Sequence, residues 1–64
     1  MWIISRIYGA CNTDYLARIE VDKTAYQLYG VLADGRRIPI CDDERNIDLV
    51  IRGLKSNCNY IEVA

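Results

Sequence analysis

The sequence predicts an α+β fold: a small antiparallel β-meander of about four strands, one helix packed on one face and a short C-terminal strand. Three observations carry this. From Tyr15 to Asp22 the side chains alternate, with Tyr15, Ala17, Ile19 and Val21 on one side and Leu16, Arg18, Glu20 and Asp22 on the other, the period of a half-buried strand. Asp34-Gly35 divides two β-rich runs and is a strong hairpin signal, because Gly supplies the positive φ such a turn needs. Only between Asp42 and Lys55 do apolar residues recur at helical spacing: Ile47, Val50, Ile51 and Leu54 fall at i, i+3, i+4 and i+7, opposite Arg45, Asp48, Arg52 and Lys55.

Taken in order, Trp2 to Tyr8 is rich in β-branched and aromatic residues and reads as the first strand. Gly9 to Asp14 has turn formers and no periodicity, so it reads as the connection to the second strand, Tyr15 to Asp22. Asp22-Lys23-Thr24 is a polar turn. Ala25 to Ala33 and Arg36 to Cys41 form the hairpin, in one of two registers. A two-residue loop at Asp34-Gly35 aligns Tyr29 and Val31 with Ile38 and Ile40; a three-residue loop bulged at Gly35 aligns Leu28 and Leu32 instead. The bulged form is preferred, since Gly30 and two leucines then make a face that the helix approaches closely. A helical reading of Asp22 to Gly35 competes, because Tyr26, Tyr29 and Leu32 are also three apart. Pro39 lacks an N–H and puts the fourth strand at an edge or a bulge.

Asp42 or Asp43 caps the helix, and Glu44, Arg52 and Lys55 suit its dipole. Gly53 costs up to about 1 kcal/mol relative to Ala in a helix and so marks close backbone packing. Ser56-Asn57 ends the helix, and Tyr60 to Val63 is the last strand. The order of elements is similar to that of small bacterial proteins with a β-meander, a helix and a final strand, a resemblance of general shape that names no family.

The whole is a single domain, residues 1–64, in which hydrophobic residues make up 52% and charged residues 27%, too apolar for a disordered chain. An initial Met and the lack of a linker favour a complete protein. Eight Lys and Arg against nine Asp and Glu give a net charge of -1, with no electrostatic footprint for nucleic acid. No apolar run is long enough to span a bilayer, and no basic leader precedes the first strand. Three cysteines, Cys11, Cys41 and Cys58, lack C-x-x-C spacing, and there is no His to complete a zinc site; they read as thiols in a reducing, cytoplasmic setting.

The candidate chemistry is sparse. Asp42-Asp43-Glu44 suits a hard cation in ligand type, but acidic residues ahead of an apolar-periodic segment are the ordinary helix start. Without His, a nucleophile at Ser5, Ser56 or Cys11 would need Lys, Asp or Glu as its base; Cys11, in a Gly-Ala-Cys turn, is the thiol to watch. No catalytic residue, metal or cofactor is therefore expected. Arg36 and Arg37 at the hairpin tip, with Arg6, Arg18 and nearby tyrosines, form the alternative reading: a weak single-stranded nucleic-acid-binding module. The charge balance opposes it.

The expected function is a non-enzymatic interaction module, because either hairpin register leaves apolar groups on a face that one helix cannot cover. A homodimer or a protein partner is expected, with nucleic acid unfavoured and no membrane. The contact surface is placed at Tyr26, Tyr29, Val31, Arg37 and Pro39, with the strand edges, and Tyr29→Asp is expected to shift a dimer to monomer.

Overall fold

The computed structural model describes residues 1–64 and has an α+β fold with six strands, one more than the four of the expected meander and its C-terminal strand together. The strands are β1 (Trp2–Ser5), β2 (Gly9–Asn12), β3 (Arg18–Asp22), β4 (Gln27–Val31), β5 (Arg37–Asp42) and β6 (Tyr60–Val63); the helix is α1 (Glu44–Lys55), and a 3-10 turn covers Thr13–Tyr15. They form two three-stranded sheets, ordered β2-β1-β6 and β3-β4-β5. A single meander is thus not what forms. β1 pairs antiparallel with β2 and parallel with β6, Trp2 beside Tyr60 and Ser5 beside Val63, while β3 pairs only with β4.

The reason lies at Ser5, where β1 ends. Its buried hydroxyl accepts the N–H groups of Ile7 and Tyr8 at 3.2 and 3.1 Å, and Gly9 takes a left-handed φ of 85°. A tight turn results, and Gly9 to Asn12, expected as a connection, returns as a strand. The expected strand from Tyr15 begins only at Arg18, and Tyr15 is 78% exposed. Leu16, expected on the outer side with Arg18, instead lies on the backbone of Gly30: a Cβ there would sit 2.7 Å from both Leu16 δ carbons and 3.3 Å from Ile40 Cδ1. Gly30 admits this leucine rather than the helix.

The Asp34-Gly35 hairpin adopts the three-residue form. Leu32 N–H donates to the Arg36 carbonyl at 2.8 Å, Gly35 N–H donates to the Leu32 carbonyl at 2.9 Å, and Gly35 has a φ of 90°. Gly30 then pairs with Ile38 and Tyr29 with Pro39, but the register slips beyond Pro39, so that Leu28 pairs with Cys41. Pro39 stands beside this bulge, and β5 is an edge strand, the two settings a missing N–H allows. The slip puts both Ile40 and Cys41 inside. Asp22 to Gly35 is not helical.

Asp43 caps α1, its carboxylate accepting Arg45 N–H at 3.0 Å. The helix buries Asn46, Ile47, Val50 and Gly53, a stripe rotated from the expected one, with Leu54 left 38% exposed. Gly53 packs against β6 so closely that a Cβ would overlap the Ile61 Cδ1 methyl, which is the close approach its position suggested. Ile3, Leu28, Ile40, Cys41, Ile47, Val50 and Val63 form the core, fed by both sheets and the helix.

Candidate interaction surface

Of the five residues expected at an interface, four lie on the outer face of the second sheet, Tyr29, Val31, Arg37 and Pro39. Tyr29 lies opposite Pro39, and the Arg37 guanidinium stacks on the Tyr29 ring at 4.2 Å. Arg37 also pairs with Glu20 at 3.3 Å, and Glu20 with Arg18 at 3.0 Å. Val31 is 1% exposed; in the register it sits between Arg18 and Arg37, whose long side chains flank it. The face that the sequence presented as greasy thus carries a charged network, with Arg37 stacked on Tyr29 and both Arg18 and Arg37 bound to Glu20. Tyr26 stands apart, on the β3–β4 turn.

That turn is tightly organised. Asp22 accepts the Thr24 hydroxyl at 2.7 Å and the N–H groups of Thr24 and Ala25 at 3.0 and 3.2 Å, and these bonds hold its carboxyl below the usual carboxylate range. Tyr26 follows with a φ of 49°, the left-handed region that bulky residues seldom adopt, and its carbonyl accepts the N–H of Asp43, itself at a φ of 74°. The Tyr26 ring gains little cover from this, being 53% exposed.

The ring stands at the mouth of a groove of about 360 Å³ between the turn and α1. Val21, Tyr26, Ile47 and Ile51 supply its apolar lining, Glu44 and Asp48 its helix rim, and Lys23 the opposite rim. It exists because α1 packs mainly on β6, β5 and β4 and stops short of β3, leaving the inward-facing Val21 41% exposed. Alternation alone pointed Val21 inward, as it is. Nothing local to Val21 states that the helix falls short, so only the axis of α1 reveals the groove. A second apolar exposure, Trp2 beside Tyr60 on the outer face of the first sheet, equally depends on the β1–β6 pairing.

Three of the four arginines of the nucleic-acid reading hold a carboxylate, Arg36 pairing with Asp34 at 2.7 Å and Arg37 and Arg18 with Glu20, while Arg6 pairs with none. The three acidic residues at the helix start diverge, Asp42 accepting the Tyr8 hydroxyl, Asp43 capping α1 and Glu44 lining the groove. All three cysteines are free thiols. Burial raises the Cys11 thiol, which lowers its thiolate fraction, and pushes buried Cys41 up to about 11, with Asp42 adding to the effect. No helix is long and apolar enough to cross a membrane. Comparison with protein-family models, with curated proteins and with solved structures finds no match.

Proposed function

We propose that this chain is a non-enzymatic interaction module that self-associates, with the groove end at Tyr26 as its contact surface. The observation that carries the reading is Tyr26 itself. A left-handed backbone costs a bulky residue on the order of 1–3 kcal/mol, and Gly or Asn would occupy the position more easily. The aromatic ring there stays 53% exposed, so intramolecular packing does not offset that cost. An exposed tyrosine over an apolar cleft is the residue type and setting of an interface anchor.

Sedimentation velocity over a wide concentration range tests this. The wild-type chain is expected to pass from monomer to dimer, and Tyr26→Asp to remain monomeric with an unchanged far-UV CD spectrum. Tyr29→Asp, measured beside it, separates the two candidate faces: loss in Tyr29→Asp alone moves the contact to the Tyr29–Arg37–Pro39 face. A wild-type chain that stays monomeric throughout overturns the reading.

A further inference from the structure

We infer that the occupant of the groove is the β1–β2 turn of a second copy of this chain, with Ile7 seated among Val21, Tyr26, Ile47 and Ile51 and the Arg6 guanidinium against Glu44 and Asp48; this rests on the self-association reading above. The two surfaces complement each other in polarity and charge, an exposed apolar side chain beside an unpaired cation facing an apolar groove with an acidic rim. Ile7 is 65% exposed, the most exposed aliphatic side chain of the large hydrophobics, and it lies in the β1–β2 turn. Arg6 pairs with no carboxylate in its own chain, and Glu44 and Asp48 pair with no cation. Glu44 and Asp48 are one helical turn apart on the groove's rim, and Lys23 on the opposite rim leaves the helix side as the acidic one.

The turn is also held ready. The Ser5 hydroxyl fixes the N–H groups of Ile7 and Tyr8, and the Tyr8 hydroxyl donates to Asp42 Oδ2 at 3.1 Å while accepting from Gln27 Nε2 at 2.9 Å. A turn already ordered loses little conformational freedom on docking, which is the main cost of inserting a loop into a cleft. The same anchor places the turn relative to the groove. Gln27 and Asp42 adjoin Tyr26 and Asp43 in the chain, so turn and groove border one end of the molecule. Two copies related by a two-fold axis at that end exchange turns, each giving Ile7 and receiving its partner's, which closes the assembly as a dimer.

The experiment measures dimer dissociation constants by sedimentation for the wild-type chain, Ile7→Ser, Arg6→Glu, Asp48→Arg and the double variant Arg6→Glu/Asp48→Arg. Far-UV CD and thermal melting check that each stays folded; Arg6, Ile7 and Asp48 are exposed, and Arg6→Gln replaces Arg6→Glu should the reversal disturb the turn. Ile7→Ser and Arg6→Glu are expected to weaken the dimer at least about tenfold, and the double charge reversal to recover most of that loss. A wild-type dimer indifferent to either single substitution, or charge reversals without recovery in the double variant, overturns the turn-in-groove contact while self-association stands. A wild-type monomer at every concentration overturns both.

Discussion

Asn46 ties the end of the chain to the start of the helix. Its amide nitrogen donates to the carbonyls of Asp42 and Ala64, both at 3.0 Å, and its oxygen accepts Ala64 N–H at 3.4 Å, with the side chain only 8% exposed. In parallel pairing with β1, the backbone groups of alternate β6 residues face the sheet edge, and Asn46 takes up those of Ala64. Asn46→Leu leaves these groups without a protein partner and is expected to cost about 1–3 kcal/mol in urea unfolding. Cys41 gives a pH dependence. Burial, with the Asp42 carboxylate beside it, pushes its thiol from the ordinary 9.0 up to about 11 in the folded state. The folded state therefore holds the proton more tightly, and the stability associated with it is intact below 9.0 and lost as pH rises from there through about 11. Cys41→Val is expected to flatten that alkaline fall in a urea midpoint-against-pH series.

The helix and its contact with β6 are set by two positions with opposed demands. At Asp43 the side chain caps α1 while the backbone sits at a φ of 74°. Asp43→Ala loses the cap and keeps the strain, whereas Asp43→Gly loses the cap and relieves the strain. Asp43→Gly is therefore expected to be more stable than Asp43→Ala, and the alanine variant about 1–2 kcal/mol less stable than wild type, in urea unfolding. At Gly53 an alanine gains up to about 1 kcal/mol of helix propensity but drives its Cβ into Ile61, and overpacking of this kind costs about 1–3 kcal/mol. Gly53→Ala is expected to lower the melting temperature, and Ile61→Val, which removes the overlapping methyl, to recover part of the loss. The two substitutions are then non-additive in a double-mutant cycle.

For the molecule as a whole, size is the constraint. A chain of 64 residues builds one small core, and such a core rarely supplies more than about 3–5 kcal/mol. The proposed association, which would bury Tyr26 and Ile7, would add to this by mass action, so on that proposal the melting temperature is expected to rise with protein concentration in the wild-type chain and to become flat in Tyr26→Asp. The three-residue hairpin was legible because its determinants, Asp34, Gly35 and the flanking leucines, are neighbours in sequence. The helix span, a cap at Asp42 or Asp43 and the strand at Tyr60 to Val63 were legible for the same reason, and the structure gives the cap to Asp43. The burial of Val31 was not legible, because Val31 alternates with Tyr29 as an outer residue should, and only the packing of three strands sets Arg18 and Arg37 on either side of it.

The linear order of residues determined an α+β chain with one helix, its cap, its tight glycine and a bulged hairpin, since each depends on interactions a few positions long. The tertiary structure alone decided that β1 turns back at Ser5 and takes β6 as a parallel neighbour, that the strands divide between two sheets, and that α1 leaves Val21 bare beside Tyr26. Those outcomes follow from how distant segments compete for one small core, and no local pattern of residues encodes the winner.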